Sequence, residues 1–195
     1  PLIVQDFNPA GTTLTPEFIA ALHRSHPHFK YVKLEEALMA PKVEAILEQT
    51  HGEVGVLEGW GGMHILELVP AGACGVVPGL GLTDLLARVY RLAKDGQLET
   101  AFPIFQTILP QIVFSLHNLE LFHHVEKRLL RARGVLRGAV VRKPAFGISE
   151  REEAYIDFLN TAILNLLDKL ELPHNPALAA GAPRGDPAGV AGMAV

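Results

Sequence analysis

Phe29-Lys30-Tyr31-Val32-Lys33 is a short run of aromatic and β-branched residues that ends in a lysine. Its composition is that of a buried β-strand. A lysine at the tip of such a strand can be desolvated, lose its proton and attack a carbonyl carbon. Similar apolar runs occur at 2–5, 54–57 and 73–78, and the run around Lys33 extends over 29–34. Their starts lie 27, 25 and 19 residues apart, and each run is followed by a helical pattern. Strands alternating with helices at this interval predict a parallel sheet with right-handed crossovers, either doubly wound or closed into a barrel.

The helices carry their own signals. Thr15-Pro16-Glu17 is an N-cap with proline at the first helical position, and Phe18, Ile19, Leu22 and His23 are expected to share one face. Pro41 opens a second helix with a Val43, Ile46 and Leu47 stripe. A third is expected over 62–71, and a fourth over 82–95 through Leu82, Leu85, Leu86, Val89 and Leu92. From Asp95-Gly96 onward the alternation stops. Helices are predicted at 97–116, 119–133 and 149–170, the last opened by the capping box Ser149-Glu150-Arg151-Glu152. The expected division is therefore an α/β part at 1–95, an all-helical extension at 96–172, and a disordered tail at 173–195 rich in Ala, Gly and Pro.

Composition removes several function classes. The chain of 195 residues is 49% apolar with a net charge of -4, which predicts one sizeable core and no nucleic-acid footprint. Gly, Pro or charge interrupts every apolar stretch before it reaches the roughly 20 residues of a membrane span. Cys74 is the one cysteine, which suits a reducing compartment, and a cytoplasmic location is expected. The first residue is Pro1, directly inside a strand-like run, so the chain is expected to begin within a longer protein.

Several motifs together carry a family resemblance. Pro1-Leu2-Ile3-Val4 with Asn8-Pro9-Ala10-Gly11 and Thr15-Pro16-Glu17, then His26-Pro27-His28-Phe29-Lys30-Tyr31-Val32-Lys33, then Val56-Leu57-Glu58-Gly59, then Ala71-Gly72-Ala73-Cys74-Gly75-Val76-Val77 follow one another in order. This order resembles the C-terminal portion of the dihydrodipicolinate synthase/N-acetylneuraminate lyase family of TIM-barrel class I aldolases, over about residues 1–170. The resemblance implies an α/β fold in which the four strands are the fifth to eighth of a (β/α)8 TIM barrel. It also implies a lyase or aldolase acting on a 2-oxo acid of the pyruvate type, with no cofactor. Lys33 matches the Schiff-base lysine. Gly59 and Val77 would line the substrate pocket at the strand ends.

The departures from the family shape the expectations. Where the family usually has a proton-shuttling tyrosine at the end of the fifth strand, this chain has Gln5, whose amide can orient a substrate but has no proton to exchange. Asp6 beside it is titratable, yet strand alternation turns it to the opposite face. Glu35 shares a face with Lys33 by period two and is a candidate pocket acid or charge partner; Lys30 falls on the other face. The alternative to an active lyase is an impaired 2-oxo-acid-binding relative or an assembly module. Apolar helices at 104–116 and 156–167 suggest buried packing or a subunit interface, and a homo-oligomer is expected.

Other features read more simply. Gly59-Trp60-Gly61-Gly62 lacks dinucleotide spacing and a P-loop lysine, so it reads as a strand-to-helix turn, as does Pro78-Gly79-Leu80-Gly81. His123 and His124 diverge by about 100° on a helix and cannot face one ion, so no metal site is expected from them, His117 and Glu126. Lys127, Arg128, Arg131, Arg133 and Arg137 form a solvated face or a subunit contact.

Overall fold

The computed structural model describes residues 1–7, 13–143 and 145–174. Four parallel strands, β1 (Leu2–Asp6), β2 (Phe29–Leu34), β3 (Gly55–Glu58) and β4 (Gly75–Val76), form one sheet in the order β1-β2-β3-β4. Between them run α1 (Pro16–Ser25), α2 (Met39–Gln49) and α3 (Ile65–Leu68); a 3-10 turn at Leu80–Leu82 leads into α4 (Thr83–Lys94). Helices α5 (Leu98–Ser115), α6 (Leu119–Ala132) and α7 (Glu150–Lys169) complete the elements of the described residues. The strand order and the strand-helix alternation are those of a partial α/β barrel.

Local chemistry accounts for the starts of α1 and α7. The Thr15 hydroxyl accepts the Phe18 N–H at 3.2 Å and Pro16 takes the first helical position. At Ser149 both halves of the capping box form: its hydroxyl accepts the Glu152 N–H, and the Glu152 carboxylate accepts the Ser149 N–H at 2.6 Å. Three expectations are corrected. Phe18 is 52% exposed, and the buried face of α1 is Ile19 with Ala20. Helix α2 begins at Met39, two residues ahead of Pro41, after Leu38 in a left-handed conformation (φ 56°). The helix expected at 62–71 shrinks to Ile65–Leu68, because Gly61 and Gly62 adopt positive φ on one side and Pro70 brings no N–H on the other.

The core lies on the helix-facing side of the sheet. Val32, Leu34 and Val56 from the strands, with Val54 just ahead of β3, meet Ile19, Met39, Val43, Ile46 and Leu68 from the helices, all of them buried. Each such side chain contributes roughly 1.5–3 kcal/mol by leaving water. On the other face, glycines accept large neighbours from the preceding strand. A Cβ on Gly55 would meet the Tyr31 ring at 2.7 Å, and one on Gly75 would meet Leu57 at 3.2 Å. Ile3, Phe7, Tyr31 and Val77 are among the exposed large apolar residues.

The strand-helix alternation ends at Gly96, but the two compact units divide later: the first is Pro1–Ile112 and the second starts at Val113. The α/β unit thus keeps the first turns of α5, past the expected boundary at residue 95. In the second unit, Leu121, Val125 and Ile156 form a small core with Phe114 and Ile148. Arg128 there pairs with both Glu153 and Asp157. The tail expected at 173–195 lies outside the described residues from position 175 onward.

Candidate active site at the strand ends

Backbone hydrogen bonds bring the strand ends to one level. The Glu35 N–H donates to the Asp6 carbonyl at 3.1 Å, the Gly59 N–H to Leu34 at 2.9 Å, and the Val77 N–H to Glu58 at 2.8 Å. The ladder therefore continues one residue past β2, β3 and β4, and sets Gln5, Lys33 and Leu57 side by side in register. Every sequence-predicted site residue lies along this edge, at the C-terminal ends of the strands, where α/β barrels hold their chemistry.

Alternation then sorts the side chains. Gln5, Lys33 and Glu35 point to the face away from the helices. The Lys33 ammonium lies 2.5 Å from Glu35 Oε1, with side-chain exposures of 19% and 11%. Gln5 donates from Nε2 to that same oxygen at 3.1 Å. One carboxylate oxygen thus receives both an ammonium and an amide. Gly59 is the residue that permits this: a Cβ there would stand 2.3 Å from Glu35 Cγ and 2.8 Å from Lys33 Cε. The room that this glycine leaves is filled by the chain's own catalytic candidates. Val77 sits at the same edge, 40% exposed.

Asp6 points the other way, as alternation requires. Its buried carboxylate accepts the Leu14 N–H at 3.0 Å and the Lys42 ammonium at 2.8 Å, and Lys42 also pairs with Glu36 at 2.5 Å. Lys42, 36 residues from Asp6, carried no sequence signal. Lys30 is exposed. Together with Tyr31, Gly55 and Cys74 it lines a cavity of about 290 Å³ at the opposite, N-terminal end of the strands, away from Lys33.

Glu58, the last residue of β3, is a functional candidate that pattern reading absorbed into a strand. It is 1% exposed, and its carboxylate accepts the Gly62 N–H at 2.7 Å and the His64 N–H at 3.5 Å. Burial, more than the neighbouring Glu35 charge, pushes its carboxyl from 4.5 up to about 7 against those hydrogen bonds. The folded chain then holds a proton there between pH 4.5 and 7 that the unfolded chain releases. This part of the stability is full below pH 4.5 and is lost as pH rises through 7, a change of roughly 3 kcal/mol. Urea unfolding of Glu58→Gln against wild type should show the difference in stability drift with pH over that window, and parallel curves would refute it.

Within the second unit the candidate histidines have partners of their own. His124 bonds the Phe146 carbonyl at 2.8 Å, His123 packs on Phe122, and His117 on Phe114. Among the described residues no three His, Cys, Asp or Glu side chains converge to hold a metal, and no helix is long and apolar enough to cross a membrane.

The four parallel strands with their helices form part of an α/β barrel, and comparison with known proteins shows which barrels it is similar to. No family model matches the sequence. L-2-keto-3-deoxyarabonate dehydratase of Azospirillum brasilense is 27% identical over 145 residues, 74% of this chain and 46% of that protein. Dihydrodipicolinate synthase from Rhodopseudomonas palustris superposes with a TM-score of 0.75 at 26% identity, over 83% of this chain and 55% of that one. N-acetylneuraminate lyase from Fusobacterium nucleatum, solved with pyruvate, superposes at 0.68 with 17% identity, over 83% and 54%. The chain is thus similar to the C-terminal part of members of the dihydrodipicolinate synthase/N-acetylneuraminate lyase family, and it spans about half the length of the relatives it matches.

Proposed function

We propose that this chain supplies the imine-forming edge of a lyase or dehydratase acting on a 2-oxo acid. One observation carries the reading: the Lys33 amine and the Gln5 amide converge on a single oxygen of Glu35. The Lys33 amine, its proton handed to Glu35, adds to the carbon-2 ketone. The carbinolamine then loses its hydroxyl as water, with Glu35 returning the proton, and leaves an iminium. That iminium draws electrons from carbon 3, so a proton leaves carbon 3 and an enamine forms. A hydroxyl on carbon 4 is then expelled as water by the enamine electron pair, with a second proton delivered to the leaving oxygen. Glu35 thereby takes the proton-handling role that the family gives to a tyrosine, while Gln5 orients it and Gly59 and Val77 shape the apolar side. The dehydratase relative favours this elimination over a condensation. A cytoplasmic, homo-oligomeric protein fits the lone Cys74 and the exposed Phe158 and Tyr155 on α7.

Incubation with pyruvate and borohydride, followed by peptide mapping, tests the proposal. Mass addition is expected on the peptide containing Lys33 and absent in Lys33→Ala. Addition without turnover of any 3-deoxy-2-oxo acid would mark a binding protein, and no addition would overturn the imine reading.

A further inference from the structure

Glu58 has no part in the steps above, yet it is the most deeply buried acid at this edge. Its two oxygens are taken by N–H groups of the turn that follows it, Gly62 on Oε2 and His64 on Oε1. Trp60 adds a third backbone donor. Its own carbonyl receives the Val77 N–H from the β4 side. One residue therefore ties β3, the turn and the end of β4 together, and the first residue of that turn is Gly59, on which Lys33 and Glu35 close.

The surroundings bear on its charge. Across the sheet Glu35 opposes its ionisation, and Glu35 is itself paired with Lys33. On its own turn the His64 ring faces Glu67 at 3.5 Å. From α4 the apolar Leu86 closes on Gly62, whose φ of 92° and 2.8 Å clearance leave no space for a side chain.

We propose that Glu58 is a positioning residue whose carboxyl group holds the Gly59–His64 turn in register beside the Lys33–Glu35 pair and is coupled to the charge of that pair. The catalytic consequence rests on Lys33 forming the imine; the hold on the turn does not. Burial resists the charged form more than the backbone donors favour it, so the turn is held more firmly while Glu58 keeps its proton and loosens as Glu58 ionises. Because coupling between charges is reciprocal, neutralising Glu35 eases the ionisation of Glu58.

Amide hydrogen exchange at Gly62, corrected for its intrinsic pH dependence, reads this directly. In the wild type, protection is expected to fall about tenfold between pH 5.5 and 8.5 as Glu58 ionises. In Glu58→Gln it should stay flat. In Glu35→Gln, which leaves Glu58 and its donors untouched, the fall should move to lower pH. A wild-type protection that does not titrate, or a fall that Glu35→Gln leaves in place, overturns the proposal even if Glu58→Gln does not fold. Pyruvate capture at Lys33 adds the catalytic arm: Glu58→Gln should lower the maximal capture rate about tenfold and flatten its pH profile near 7, with the half-saturating pyruvate concentration unchanged. Capture absent from the wild type would refute the imine at Lys33 and leave the exchange result to decide the role of Glu58.

Discussion

Glu35→Gln is expected to leave pyruvate capture at Lys33 detectable while lowering turnover of the true substrate by about 10²–10⁴-fold, the usual worth of a positioned general acid–base. Glu35 Oε1 lies 2.5 Å from the Lys33 ammonium, closer than any other acid found around it, and Asp6 is turned to the helix side with Lys42. A glutamine keeps the size of the side chain and still accepts from Gln5 and Lys33, so the pocket stays filled over Gly59. What it loses is the capacity to take a proton from carbon 3 and return one to the leaving oxygen. Imine formation suffers less, because water at this partly open edge can relay protons to the carbinolamine. Borohydride trapping and steady-state turnover measured on one preparation separate the two steps. Equal losses in both would show that Glu35 acts by placing Lys33 rather than by moving protons. Gln5→Ala provides the contrast: its amide only orients Glu35, so a fall on the order of tenfold is expected.

Much of this edge can be read from local spacing. Period two puts Lys33 and Glu35 on one face and Asp6 opposite Gln5, and the structure keeps both assignments. Thr15 with Pro16, and Ser149 with Glu152, announce helix starts because a cap needs only neighbours within a turn. The features that stayed hidden depend on distance or on accumulated backbone geometry. Lys42 meets Asp6 across 36 residues, and nothing in the spacing of α2 singles it out from other helix lysines. Glu58 reads as the polar end of Val56-Leu57-Glu58-Gly59 until the turn folds back and aims two N–H groups at it. Phe18 looks like core on a helical wheel, but the sheet beneath α1 takes Ile19 and leaves Phe18 in water. The end of the α/β unit inside α5 is likewise invisible in the sequence, since the helix runs unbroken from Leu98 to Ser115 through Pro103 and Pro110.

Removing the cation behind the sheet should have the largest effect on stability. Lys42→Met is expected to cost about 3–5 kcal/mol at neutral pH, because it strips the ammonium from two carboxylates that burial has already separated from water. Asp6 is 4% exposed and retains only the Leu14 N–H, while the Glu36 side chain, 14% exposed, loses its partner outright. The three residues join the end of β1, the loop after β2 and the second turn of α2, so the loss loosens the elements that carry Gln5 and Glu35 from behind. Most of the cost is the uncompensated charge rather than the attraction itself. Asp6→Asn combined with Lys42→Met should therefore recover a large share of it, and a double variant no more stable than Lys42→Met would mean that the methylene packing of Lys42 carries the effect. Urea midpoints give the comparison. Because the cluster lies on the face opposite Lys33, capture of pyruvate per folded molecule should be unchanged in these variants, whereas Glu35→Gln alters chemistry with little change in the urea midpoint. The two faces of the same sheet edge then separate by measurement: one holds the strands to their helices, and the other holds an amine beside an acid.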